Sequence, residues 1–283
     1  GPIDGAEGVV GNTMKTLAAF PDRTLVGEAV IWSEEEGGAY LSSHRITSSG
    51  TNLGASDFGP ATGRRVQFTT VADCLCRAND IVEEWLVRDN SALVLGLGLS
   101  PRAVARAHAA GDRTAGGPAQ WRRDKLAALR AQPATPFPSL AMPSPDEAAA
   151  FAHAVFDAVW NHRRLTAIRD LYSPAAHSQQ PGNRLLFGHG EIAGWATALL
   201  ASFTDAVFRV DHVAAVARDG GCDIAVRWEM AGTHDGPALY GPPTGREAYI
   251  LAVTHWRIDR GVIVDEVTVF DEIALLRQLE GGL

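Results

Sequence analysis

Apolar and polar positions along the chain change period several times, and the changes come back in the same order. From residue 144 onward, Phe151, Val155, Phe156, Val159 and Ile168 recur at helical spacing. Ser144 offers an N-cap, Pro145 suits a first helical position and Glu147 completes a capping box, so a helix is predicted over 146–171. A second helix is predicted near 190–203, then strands near 206–216, 222–232, 246–259 and 261–270. Asp219-Gly220-Gly221 and Asp259-Arg260-Gly261 give the backbone freedom that hairpin turns need. The first half carries the same series, a helix near 8–20 and strands near 24–33, 39–49, 64–77 and 81–87. Helices followed by an antiparallel meander predict an α+β fold with the helices on one sheet face.

The halves superpose residue by residue. Gly59-Pro60-Ala61-Thr62-Gly63-Arg64 recurs as Gly241-Pro242-Pro243-Thr244-Gly245-Arg246, an offset of 182. The same offset pairs Arg45 with Arg227, Ile81-Val82 with Ile263-Val264, Glu84 with Glu266, Asp89 with Asp271 and Leu93 with Leu275. One residue is inserted at the Gly37-Gly38 and Gly220-Gly221 turn, and before it the offset of 183 pairs Phe20 with Phe203. This predicts two copies of one domain, 1–99 and 145–283, joined by a helical and proline-rich linker over 100–144. The first copy has no counterpart of the 146–171 helix, since Gly5 already corresponds to Gly188. An N-terminal helix preceding Gly1 is therefore expected in the natural protein. Ser100-Pro101 starts a linker helix, Gly116-Gly117-Pro118 breaks it, 119–131 forms another, and the stretch from Pro133 to Pro145 is extended and free to pack across the open first copy.

Composition narrows the function classes. Hydrophobic residues at 46% and charged residues at 20% describe a folded chain, and a net charge of −8 argues against a phosphate-binding surface, so no nucleic-acid partner is expected. No apolar run is long enough to span a membrane, and no membrane partner is expected. Cys74, Cys76 and Cys222 lack a paired spacing and fit reduced thiols in a cytoplasmic protein. The nine histidines fall at no ligand spacing, so no metal is expected, and no glycine-rich phosphate loop follows a strand, so no cofactor is expected.

The second half resembles the SnoaL-like polyketide cyclases, within the nuclear transport factor 2-like superfamily. The resemblance rests on Val159-Trp160-Asn161, Tyr172-x-Pro174, Gly232-Thr233-His234, the Gly241–Arg246 turn and the ending Asp271 to Leu279, and it covers essentially 144–283. The first copy matches from about Gly5 to Leu99. The resemblance implies tandem cone-shaped domains, each a curled antiparallel sheet with helices on the concave side, enclosing a pocket for a small apolar organic ligand. It also implies an aspartate near the end of the last strand as acid/base for intramolecular aldol closure, a role that falls on Asp89 and Asp271. Family members carry a tryptophan four residues earlier; Trp85 supplies it in the first copy and Val267 replaces it in the second.

Strand parity puts Trp85 with Asp89, and Asp265 with Asp271, on shared faces, where burial would raise a carboxylate toward working pH. The competing role of both aspartates is to cap the helix that follows. Alternation also places His44 on the face of Trp228, and Trp160 joins these as a candidate substrate contact. His234 serves its turn, and His255, which aligns with Asp73, suggests a shared structural surface. The leading expectation is a cofactor-independent cyclase or isomerase. The alternatives are a non-catalytic binding module and an intramolecular pseudo-dimer whose copies pair through their outer sheet faces, with a homodimer also open.

Overall fold

Two mixed α+β halves, each built on an antiparallel-dominated sheet, make up the computed structural model, which describes residues 2–115, 120–136, 138, 144 and 146–281. The N-terminal half runs α1 (Gly5–Ala19), β1 (Thr24–Glu35), β2 (Ala39–Thr51), β3 (Arg65–Arg77), β4 (Asp80–Arg88) and α2 (Asn90–Gly96), and its sheet has the order β1-β2-β3-β4. Two linker helices follow, α3 (Pro101–Ala115) and α4 (Gln120–Arg130). The C-terminal half runs α5 (Ala148–Val155), a π-helical turn over Phe156–Asn161, a 3-10 turn over Leu165–Ala167, α6 (Ile168–Leu171), β5 (Tyr172–Gln180), β6 (Arg184–Phe187), α7 (Gly188–Ser202), β7 (Val207–Arg218), β8 (Gly221–Thr233), β9 (Glu247–Asp259), β10 (Val262–Phe270) and α8 (Glu272–Leu279). Its sheet order is β6-β5-β10-β9-β8-β7, with β5 parallel to β10.

The two sheets share one pairing register. His44, Ala72 and Leu86 lie opposite one another across β2, β3 and β4, and Val226, Thr254 and Thr268 do so across β8, β9 and β10 at the same offset. The irregularity between Gly27 and Ala29 in β1 recurs between Val210 and His212 in β7. Such coincidence extends below the level of motifs to the bulges themselves, which are sequence-coded local features.

The sheets meet through their outer faces. Val71 and Val87 of the first join Val253, Val267 and Val269 of the second in one core, and Ile31 packs on Ala214 and Ala225. Within this apolar seam lies a polar cluster: Ser43 donates to Asp73 (2.5 Å) and accepts from the His255 ring (2.8 Å), while Arg227 pairs with Asp73 (3.2 Å) and Asp211 (2.7 Å). The expected shared surface at Asp73 and His255 is thus present. Neither linker helix closes the first copy: α3 packs on α8 through Arg102–Glu280 and Arg277–Asp112 pairs, and α4 covers the outer face of β8 and β9, with Leu129 against Ala231 and Tyr249. The Gly116–Pro118 break, Pro145 and most of 139–145 lie outside the described residues.

The predicted 146–171 helix is divided into four segments. The Ser144 hydroxyl accepts from the Glu147 amide as the capping box requires, but the helix widens at Phe156 and stops at Arg163, whose φ of 56° no continuing helix adopts. Among the described residues no helix is long and apolar enough to cross a membrane.

Candidate functional site

Even-numbered residues of β8 and β10, and Thr254 and Trp256 of β9, face α5 and α7 across the interior of the C-terminal half. They enclose a cavity walled by Phe156, Trp160, Trp195, Trp228, Trp256 and Phe270. Its free volume is about 30 Å³. That is room for roughly two waters, against ~300 Å³ or more for a ligand pocket. The cavity is too small to hold a ligand of that size.

One carboxylate is buried in this aromatic lining. Glu266 accepts at Oε1 from Ser178 (2.7 Å) and Gln180 (2.7 Å), and at Oε2 from Tyr172 (2.5 Å) and the Trp256 indole (2.8 Å). The strands place all five: β5, parallel beside β10, delivers Tyr172, Ser178 and Gln180, and Trp256 lies directly across the ladder from Glu266. Burial and the Glu266 carboxylate push the Tyr172 hydroxyl well above its usual pKa, so Tyr172 is a neutral donor. A second polar chain lies alongside. The Trp228 indole donates to Thr254 Oγ1 (3.0 Å), which is 2.8 Å from Thr268 Oγ1. Since an indole can only donate, Thr254 accepts there and can pass its own hydrogen to Thr268, leaving the Thr268 hydrogen for the cavity.

The residues expected from sequence separate into three groups. Trp160 and Trp228 line the cavity, with Trp160 tilted on Phe208 at 5.1 Å. His44 sits on the inner face of the N-terminal sheet, bonded to Ser42 (2.8 Å), away from this cavity. Trp85 and Asp265 are on the wrong face for a pocket. Trp85 lies in the seam under the Arg227 guanidinium, 3.6 Å from its ring centroid, and Asp265 stands opposite Arg257 on the outer face. Strand parity is sound here; what misled is that the outer face is covered by another sheet and therefore as apolar as the inner one.

Asp89 and Asp271 lie outside the cavity and cap helices. Asp89, 1% exposed, accepts from the Ala92 amide, the Ser91 hydroxyl, and the Gly182 and Asn183 amides of the β5–β6 turn. Asp271 accepts from the Ala274 amide (2.9 Å) and Asn90 Nδ2 (2.6 Å), and burial raises its pKa. The two acids thus bind the halves together at the ends of β4 and β10.

Sequence reasoning passed over Glu266, Ser178 and Gln180. The signal for Glu266 was its identity with Glu84 in the repeat and its parity with Thr268 and Phe270. Ser178 and Gln180 lie on a strand whose sequence, His177-Ser178-Gln179-Gln180, has no apolar alternation because its inward side chains serve the carboxylate. No group of three or more His, Cys, Asp and Glu that could hold a metal occurs among the described residues.

Among solved structures, a SnoaL-like protein from Jannaschia is 18% identical, covering 51% of this chain and 99% of its own, with a TM-score of 0.44. IdmH from Streptomyces antibioticus is 24% identical over 46% of this chain and 96% of its own (TM-score 0.39), and a SnoaL-like polyketide cyclase from Agrobacterium tumefaciens is 18% identical over 49% and 99% (TM-score 0.39). No curated protein matches the chain. Residues 151–279 match the family of SnoaL-like polyketide cyclases, and the C-terminal half of this chain is a domain of that family.

Proposed function

We propose that the C-terminal domain is a cyclase-like acid/base enzyme acting on a small, flat, largely apolar carbonyl compound, with Glu266 as the base. The observation that carries this is a carboxylate buried in the lining of an aromatic cavity; one of its four donors has to give way before a lone pair is free to take a proton. Glu266 removes a proton from carbon beside a carbonyl; the enolate carbon bonds to a second carbonyl carbon of the same molecule, and the resulting alkoxide takes the proton back. Thr268 supplies a hydroxyl donor to the developing oxyanion. Asp89 and Asp271 then act as caps, not as acid/base groups.

A cavity this small means that substrate entry needs movement. The π-helical turn carrying Trp160, with the positive-φ Arg163 behind it, is the segment suited to move, since such turns are packed less regularly than α-helix. The N-terminal half, in the same proposal, is a second copy (1–99, joined through 100–144 to 145–283) that serves as a permanent partner sheet.

The test reads enolisation without knowing the natural substrate. An aryl β-ketoester in D2O should exchange its α-proton faster with the protein than without it, followed by NMR, and Glu266→Gln should lower that rate about 100-fold or more. Equal rates for both proteins, with both folded by near-UV dichroism, would reject the assignment. Glu266→Asp guards against a folding defect, since it keeps the carboxylate one methylene short and should retain part of the exchange.

A further inference from the structure

The repeat supplies its own control for a feature of the N-terminal half. Arg23, Ser48, Thr70 and Arg88 correspond to Ala206, Met230, Ala252 and Phe270 of the C-terminal half, all four of them in its buried core. Four apolar positions of one copy are therefore two cations and two hydroxyls in the other.

These four side chains lie together on the inner face of the sheet. Thr70 is directly across the ladder from Arg88, Ser48 stands two residues beyond the Thr70 partner Ile46, and an Arg23 nitrogen is 3.4 Å from Ser48 Oγ. Their hydrogen-bonding capacity is left open. Arg23 Nε, Arg88 Nε and Thr70 Oγ1 are buried with no partner, and Thr70 is only 3% exposed. Neither arginine has an ion pair within 4 Å among the described residues; of the acids that act on Arg88, Glu84 is exposed four residues back along β4 and Asp271 is already bound to Asn90 and Ala274. Burial lowers the pKa of both guanidinium groups, and the Arg88 charge lowers that of Arg23 further. Two like charges half-buried side by side beside an orphaned hydroxyl are costly unless an anion is there to receive them.

The surroundings say what carries that anion. Leu25 lies opposite Ser48, Leu86 is two residues along β4 from Arg88, and Val30 lies opposite His44, all on the same inner face and 42–56% exposed. We propose that Arg23, Ser48, Thr70 and Arg88 form an anion site that takes the carboxylate of a small molecule whose apolar body lies on Leu25, Val30 and Leu86. An arginine pair matches a carboxylate by its planar fork of donors, and the Thr70 hydroxyl adds a third. The site is independent of the C-terminal cavity and of the chemistry assigned to it.

Calorimetric titration with 1-naphthoate, 2-naphthalenemethanol and inorganic phosphate tests this. Saturable naphthoate binding is expected, with no heat from the neutral alcohol and weaker binding of phosphate. Arg88→Met and Arg23→Met should each weaken naphthoate about 10–100-fold, the usual worth of a charge-assisted hydrogen-bonded pair. Arg88→Met should also leave the melting temperature equal or higher, because it removes a desolvated charge. Unchanged naphthoate affinity in both variants, no naphthoate binding to the wild type, or phosphate binding as tightly as naphthoate would overturn the assignment. A melting temperature that falls in Arg88→Met would overturn it as well, by showing that Arg88 is already satisfied within the fold.

Discussion

Acidification should weaken this protein through one histidine in the seam between its sheets. His255 is 2% exposed, and its pKa is pushed down to about 3 by burial, with the Arg45 and His44 charges adding to the effect. The hydrogen-bond order explains why. Ser43 gives its hydrogen to Asp73, so its oxygen accepts from His255 Nε2, and Nδ1 is left as a buried acceptor without a partner. A second proton would have to be placed on Nδ1, facing nothing.

The sign follows from linkage. In the unfolded chain a histidine binds its proton below about 6.5, whereas folded His255 stays neutral until about 3. The unfolded state then holds more protons between these values, and stability falls as pH falls through that window. From pH 7 to pH 5 the loss amounts to about 2 kcal/mol. For a chain of this size that is a drop of about 4–8 °C in melting temperature. Asp73 works against it: burial raises its pKa, so its protonation stabilises the fold as pH falls. His255→Gln separates the two, since its amide can still donate to Ser43 but cannot titrate. Melting curves at pH 7 and pH 5 should show the wild type losing about 2 kcal/mol more than His255→Gln, with Asp73 common to both. Parallel pH dependences would refute the assignment of this loss to His255.

Other substitutions probe the caps and the turns. Asp89→Ala should cost about 2–4 kcal/mol in urea unfolding, since it strips a helix cap and leaves the Gly182 and Asn183 amides without their acceptor. Asp271→Asn should cost less than about 1 kcal/mol, because an amide oxygen still caps Ala274, and it should leave the α-proton exchange at Glu266 unchanged. Gly236→Ala and its equivalent Gly54→Ala should each lower the melting temperature sharply: a Cβ would stand 1.7 Å from the Ala201 carbonyl oxygen and 2.2 Å from that of Ala18, both rigid backbone atoms. Trp85→Ala should destabilise by about 1–3 kcal/mol through loss of the Arg227 stacking and seam packing, and should not change enolisation.

Much of the fold was legible because turns and strand periods write themselves into sequence. The eight meander strands lie within two or three residues of where alternation and glycine turns put them, and even the inserted residue falls in the turn at Gly37 and Gly220. The strands β5 and β6 were not legible. Their residues answer to a neighbour far along the chain, Glu266, and neither apolar alternation nor turn chemistry records that. The inward face of β10 was hidden for a related reason. With a second sheet on its outer side, Val267 and Val269 look as interior as Thr268 and Phe270, so alternation gives a parity without an orientation. Only the identity of Glu84 with Glu266 marked the buried acid, and even that pair diverges in setting: Glu84 is exposed.

The two copies share a backbone register but have divided the roles that a single cone combines. In the C-terminal half, α5, α7 and β5 cover the inner face, and Tyr172, Gln180, Trp228, Trp256 and Thr268 are engaged with Glu266 or Thr254. In the N-terminal half the polar groups of the same inner face, Arg23, Thr70 and Arg88, stand where the other copy is apolar. On the outer faces the polar groups are partnered: Asp73 with Arg227 and Ser43, and Ser43 with His255, across the seam, as are Asp89 with the Gly182 turn and Asp271 with Asn90. The seam is therefore where this chain is held together, and the two inner faces are where it is free to differ.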